Sequence, residues 1–266
     1  MKSLPPRILF VANWKMYLDS PLQAASLARE LKRKLKKGAE RVAVCPPHPF
    51  LFPVAAALGA SGIHLGAQDV SAFADEKHTG EVSARMLRQT GVSLVIIGHS
   101  ERRSQGEGEE QVAIKIERAL AAGLAPLVCL GEEERDQSGS HFAVIERQLR
   151  SAVSRVSKRE APRLAIAYEP VWAIGKSAED ALSPAELQEA VLFIRKTLAT
   201  LFGRAAALKI PVLYGGSVEA ANAPELLTEG GVAGFLVGRA STDAGAFARI
   251  VNACAAVRSS APSRSR

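Results

Sequence analysis

Short apolar, β-branched runs recur along the chain at Ile8–Ala12, Arg41–Cys45, Ile63–Leu65, Leu94–Ile97, Leu127–Leu130, Leu164–Tyr168, Lys209–Tyr214 and Gly234–Val237. Their hydrophobic positions are continuous, not alternating, and so predict strands buried on both faces, as in a parallel sheet. Amphipathic stretches between them predict helices over Leu22–Lys37, Leu51–Leu58, Val82–Gln89, Gln111–Ala122, Phe142–Ser157, Ala185–Leu201, Ala223–Thr228 and Ala244–Val257. Each strand–helix unit takes roughly 31 residues, the size of a βαβ repeat. No linker or shift of composition interrupts the series before a polar tail. The expectation is an α/β fold, a single-domain (β/α)8 barrel over residues 1–258, followed by a disordered polar tail at 259–266. No GxGxxG occurs, which removes the main signature of a doubly wound dinucleotide-binding sheet.

Local punctuation agrees. Ser183-Pro184-Ala185-Glu186 reads as a capping box with proline at the first helical position. Gly123, Gly203 and Gly230 follow helical stretches, where glycine ends helices.

Composition narrows the function classes. Of 266 residues, 47% are hydrophobic and 23% charged, enough to build a full core and too apolar for disorder. Cys45, Cys129 and Cys254 are far apart, with no CxxC and no His/Cys cluster, so neither a zinc site nor a disulfide framework is expected. A reducing, cytoplasmic setting follows. The apolar run Ile8–Ala12 is too short for a signal peptide, and no stretch approaches the ~20 residues of a membrane span. The net charge of +7 suits an anionic partner. Much of it, however, clusters as Arg29, Lys32, Arg33, Lys34, Lys36 and Lys37 on one helix and as Arg258, Arg264 and Arg266 near the C-terminus, a solvated face and a frayed tail. Only 5% of residues are aromatic, too few to offer stacking platforms to nucleic acid.

In a parallel barrel the reacting groups stand at the C-terminal ends of strands. Reading each strand to its end yields Asn13-Trp14-Lys15, Gly98-His99-Ser100-Glu101-Arg102-Arg103, Cys129-Leu130-Gly131-Glu132, Tyr168-Glu169-Pro170, Tyr214-Gly215-Gly216-Ser217 and Gly238-Arg239-Ala240-Ser241. One lysine, one histidine and one isolated carboxylate converge on the same mouth. The last two loops are rich in the backbone N–H groups that bind phosphate. A nucleophile elbow, a P-loop and an HExxH zinc motif are all absent.

The segments Asn-Trp-Lys-Met at 13–16, Gly-Ala-Gln at 66–68, Thr-Gly-Glu at 79–81, Gly-His-Ser-Glu-Arg-Arg at 98–103, Tyr-Glu-Pro-Val-Trp-Ala-Ile-Gly at 168–175 and Tyr-Gly-Gly-Ser-Val at 214–218 resemble the triosephosphate isomerase family, in its order and spacing. The resemblance spans about residues 7 to 257. It implies interconversion of dihydroxyacetone phosphate and glyceraldehyde 3-phosphate through an enediol. It makes Glu169 the base, His99 the group that polarises the carbonyl and shuttles protons between oxygens, and Lys15 and Asn13 the groups that hold substrate and stabilise the oxyanion. It also implies that Glu101 partners Lys15 and that Ser100 and Cys129 support the base. Pro170–Ala178 would be a lid whose Gly175 amide joins Ser217, Gly238 and Arg239 in binding phosphate. No metal or organic cofactor is implied. Thr79, in the long loop 69–80, would contact a second copy in a homodimer; no nucleic-acid or membrane partner is expected.

Several positions depart from the family. The stretch from Gly175 to Pro184 is longer than usual and more acidic, Arg239 stands where a second glycine is usual, and Ala233 replaces an aspartate. Asp69 follows Gly-Ala-Gln in place of asparagine, Tyr17 follows Lys-Met, and the Ser104–Glu107 segment is a residue short. Two further readings therefore stand beside the first: an isomerase of a four-carbon ketose phosphate, and a non-catalytic barrel that binds a phosphorylated ligand.

Overall fold

The computed structural model describes residues 9–35, 38–73, 77–136, 138–175 and 182–260. Eight parallel strands close on themselves in sequence order. They are β1 (Phe10–Asn13), β2 (Val42–Cys45), β3 (His64–Ala67), β4 (Val92–Ile97), β5 (Ala125–Leu130), β6 (Ala165–Tyr168), β7 (Val212–Tyr214) and β8 (Gly234–Val237). Around them run α1 (Pro21–Lys34), α2 (Leu51–Leu58), α3 (Ala84–Gln89), α4 (Ser100–Ser104), α5 (Glu109–Ala121), α6 (Ser140–Ala152), α7 (Pro184–Phe202), α8 (Arg204–Ala207), α9 (Ala223–Thr228) and α10 (Ala244–Ser260). The (β/α)8 barrel read from the periodicity is the observed fold.

The strands are apolar throughout because both faces are covered, by helices outside and by one another's side chains inside. Val11, Val44, Ile96, Val128, Ile166 and Leu213 have no exposed surface. Each such side chain contributes about 1.5–3 kcal/mol relative to exposure. The seam pairs Phe10 with Phe235, Val11 with Leu236 and Ala12 with Val237. Gly234 is required there, since a Cβ on it would lie 1.8 Å from the Leu9 carbonyl oxygen.

Helix ends follow local chemistry. The Ser183 hydroxyl accepts from the Glu186 amide and the Glu186 carboxylate accepts from the Ser183 amide, the expected capping box. Ser20 caps α1 by accepting from the Gln23 amide, with Pro21 at the first position and Lys32, Arg33 and Lys34 in the last turn opposite the dipole's negative end.

Boundaries differ in places. Helix α3 starts at Ala84 because Ser83, not Val82, is its cap. Helix α6 ends at Ala152, short of Ser157, whose hydroxyl instead bonds the Glu160 carboxylate at 2.6 Å in the following turn. Gly123 and Gly203 adopt positive φ after α5 and α7, but Gly230 does not; Gly231 takes that conformation (φ 68°). Gly230 is needed for close packing, as a Cβ there would lie 2.5 Å from the Leu226 carbonyl oxygen. Helix α10 continues through Ser260, so the first two residues assigned to the polar tail are helical, and 261–266 lie outside the described residues. Lys36, Lys37 and residues 176–181, which include the last three residues of the expected lid Pro170–Ala178, also lie outside them.

Candidate active site

The ends of β1, β4, β6, β7 and β8 open into one cavity of about 460 Å3, lined by Asn13, Lys15, His99, Glu169, Gly175, Ser217, Gly238 and Arg239 among others. These residues come from five strand ends and one loop, and the closed barrel brings them together.

Lys15 lies just beyond β1 in a left-handed backbone conformation, φ 43°, and is the single non-glycine residue at positive φ among those described. Such a conformation costs about 1–3 kcal/mol and persists where surroundings enforce it. Here the Lys15 amide donates to Asn13 Oδ1 at 3.1 Å. Gln68, at the end of β3, donates through Nε2 to the Lys15 carbonyl at 3.0 Å and to the Cys45 carbonyl at 2.9 Å. The side chain so aimed places Nζ 2.6 Å from Glu101 Oε1.

His99 terminates β4 and forms the N-cap of α4. Its Nδ1 accepts from the Glu101 amide at 3.1 Å. A ring nitrogen that accepts carries no proton, so the imidazole is neutral with its hydrogen on Nε2. That nitrogen lies 3.2 Å from Glu169 Oε1.

Glu169 ends β6 with only 3% of its side chain exposed. The Ser100 amide donates to its Oε2 at 3.3 Å. Its backbone is clamped by a bond from its amide to the Leu130 carbonyl at 2.8 Å, and Gly131 and Gly215 press against it. A Cβ on Gly131 would sit 1.8 Å from the Glu169 carbonyl oxygen, and one on Gly215 2.7 Å from Glu169 Cγ. Cys129 is fully buried behind it. Burial, and then the Glu169 charge and a hydrogen bond to that carboxylate, push the Cys129 thiol well above its ordinary range, so it remains a neutral donor.

Beyond Glu169 the chain turns through Val171–Ala173. Glu132, 1% exposed, holds this turn: its Oε1 accepts from the Tyr168 hydroxyl at 2.9 Å and from Trp172 Nε1 at 3.0 Å. Desolvation, reinforced by Glu132, keeps the Tyr168 hydroxyl above its ordinary range and protonated. The Ser217 hydroxyl donates to the Ala173 carbonyl at 3.3 Å, joining the β7 loop to the same turn.

A second cavity of about 630 Å3 adjoins Lys15 and includes Glu101, Asp69, Met16, Tyr17 and Gly80. Thr79 is exposed and lines neither cavity of its own chain. Behind Asp69 lies a buried ion cluster: Lys115 Nζ contacts Asp69 Oδ1 and Oδ2 at 2.7 and 2.9 Å and also Glu107, while Arg102 Nε reaches Asp69 Oδ2 at 3.1 Å.

Gln68, Gly131, Glu132 and Gly215 stand in the motifs and strand ends read from the sequence, which assigns them no role in the site; their hydrogen bonds and close approaches appear only in the folded chain.

A buried carboxylate, a neutral imidazole and a lysine facing one polar cavity at the C-terminal mouth of a (β/α)8 barrel define an enzyme built to move protons on a small anionic compound. Comparison with known proteins makes this particular. The family model described as triosephosphate isomerase matches residues 8–254. A triosephosphate isomerase from Carboxydothermus hydrogenoformans is 46% identical over 248 residues, covering 91% of this chain and 97% of that protein. One from Thermoanaerobacter pseudethanolicus is 40% identical over 250 residues, covering 92% and 99%. The crystal structure of triosephosphate isomerase from Bartonella henselae superposes with a TM-score of 0.81 at 35% identity, covering 92% of this chain and 98% of that one. The chain belongs to the triosephosphate isomerase family.

Proposed function

We propose that this chain interconverts dihydroxyacetone phosphate and D-glyceraldehyde 3-phosphate by a proton shift, with Glu169 as base, His99 as the neutral acid that serves the two oxygens, and Lys15 as the charge that steadies the enediolate. One observation carries the assignment of roles: the Glu169 carboxylate faces His99 Nε2 at 3.2 Å inside the cavity that Lys15 lines. A carbon acid beside a carbonyl yields to a carboxylate only when the oxyanion is stabilised as it forms, and preorganised donors in a site with little water supply that. The two carbons exchange oxidation level within one molecule, so the chemistry calls for no metal or organic cofactor. Asn13 holds Lys15, Glu101 balances its charge, and Ser100 and Cys129 donate to the base. The Gly175, Ser217, Gly238 and Arg239 amides serve the phosphate.

The relatives are named for the three-carbon reaction and lend nothing to a four-carbon substrate or to a barrel without catalysis. In the same reading the chain works as a cytoplasmic homodimer, apart from nucleic acid and membranes. Exposed Met16 and Tyr17 line the larger cavity beside Lys15, a surface for Thr79 and its loop from a second copy. None of the cysteines forms a disulfide, and among the described residues no helix is long and apolar enough to cross a membrane.

Glu169→Asp tests the roles. It withdraws the carboxylate by about one methylene, so turnover falls by orders of magnitude while dimer mass and inhibition by inorganic phosphate hold. Full activity in that variant removes Glu169 from the mechanism.

A further inference from the structure

Two residues with cationic side chains, Lys15 and Arg239, are among those lining the cavity of about 460 Å3. They are not equivalent. Lys15 Nζ lies 2.6 Å from Glu101 Oε1, so a carboxylate already balances its charge. The Arg239 guanidinium has no hydrogen bond or ion pair among the described residues, although its backbone is fixed: its carbonyl accepts from the Thr242 hydroxyl at 2.8 Å. The residue opens a short 3-10 turn, Arg239–Thr242, directly after Gly238. A Cβ built on Gly238 would lie 3.6 Å from Lys15 Cε, so the residue before the arginine stands against the lysine stem. Apart from Glu169, the carboxylate in this wall is Glu219, exposed and without an ion pair to Arg239.

We propose that the Arg239 side chain, not its amide alone, is a specificity-determining group that selects a phosphate dianion at this cavity. The inference rests on the isomerase reading of the cavity and extends it. Backbone amides offer partial charges in fixed directions. A guanidinium adds a full charge and a planar fork that matches two phosphate oxygens, and an unpaired one gains its counter-ion when substrate arrives. Phosphate takes no part in the proton shift, but binding energy from a remote group is spent at the reacting centre as well as on affinity, so loss of the contact is read in kcat/KM and in Ki for phosphate. Arg239 is exposed, so the contact is screened and weakens as salt rises.

Steady-state kinetics of Arg239→Ala, Arg239→Gln and Arg239→Lys test this, together with inhibition by inorganic phosphate. In the alanine and glutamine variants, kcat/KM for glyceraldehyde 3-phosphate falls and Ki for phosphate rises, each by about tenfold, as for loss of one charged hydrogen bond. The lysine variant, with charge but no fork, falls between. The kcat/KM preference for glyceraldehyde 3-phosphate over unphosphorylated glyceraldehyde drops by the same factor, and the dependence of Ki on ionic strength flattens. Wild-type kcat/KM and Ki in an active alanine variant overturn the proposal and leave the isomerase reading standing. Failure of the unaltered chain to turn over triose phosphates overturns that reading instead.

Discussion

Gly215→Ala probes how tightly the Glu169 carboxylate is held without touching it chemically. Gly215 lies outside the positive-φ region, so alanine meets no backbone penalty there. The added methyl would sit 2.7 Å from Glu169 Cγ and 3.2 Å from Oε1, where ordinary van der Waals contact begins at 3.4 Å. Neither backbone can recede: the Gly215 amide donates to the Tyr168 carbonyl at 2.8 Å, and Glu169 is bonded to Leu130 and pressed by Gly131. The Glu169 side chain must therefore swing by at least about 0.7 Å, the gap between those two contact distances. Its contacts to His99 at 3.2 Å and Ser100 at 3.3 Å then stretch past hydrogen-bond range. A misplacement near 1 Å at a reacting centre costs up to about 10²-fold in rate. We expect kcat to fall about 10- to 100-fold, equivalent to about 1.5–3 kcal/mol of transition-state stabilisation, with a smaller change in KM. The assay is coupled turnover of glyceraldehyde 3-phosphate on protein whose circular dichroism is native. The double variant with Glu169→Ala sharpens it: a side chain that ends at Cβ vacates the space, so the alanine at 215 adds little to the loss in Glu169→Ala alone. A kcat within twofold of wild type, or losses that simply multiply, would refute the steric reasoning.

Two further outcomes concern stability. Lys115→Met leaves Asp69 and buried Glu107 facing each other with only Arg102 nearby, and breaking a buried pair of this kind costs about 3–5 kcal/mol. Urea unfolding reads it, Glu107→Gln in the same chain returns part of the loss, and a cost below about 1 kcal/mol contradicts the cluster's role. Asp136 is held at about 2, below its ordinary 3.8, by the hydroxyls of Ser138 and then Ser140. A depressed carboxyl stabilises the fold above its unfolded value and loses that contribution as pH falls through the folded one. The gap in urea midpoint between wild type and Asp136→Ala is therefore present at pH 7 and narrows between about pH 4 and pH 2; a gap of constant size would remove the linkage.

Much of this was legible in one dimension because it depends on local signals. Continuous apolar runs bury both faces of a strand, and 3.6-residue periodicity marks a helix that covers them, so the eight-fold alternation was readable without coordinates. The capping box at Ser183 and Glu186 was readable for the same reason: its partners are three residues apart. Gly230 shows the limit. A glycine after a helix suggests a positive φ, yet the neighbouring Gly231 takes it, because crowding by Leu226 and Leu187 decides which of the two needs empty space.

By itself, then, the order of residues determined the class of fold and the strand ends at which chemistry stands, since hydrophobic burial and capping act over a few neighbours. Only the closed barrel decided the distances. Lys15 meets Glu101 across 86 positions and Ser100 meets Glu169 across 69. Gly131 and Gly215 confine Glu169 from neighbouring strands, and Asp69 meets Lys115 across 46 positions. Such contacts depend on barrel closure and register, which bring distant segments within a few ångströms, and no local pattern of side chains encodes that meeting.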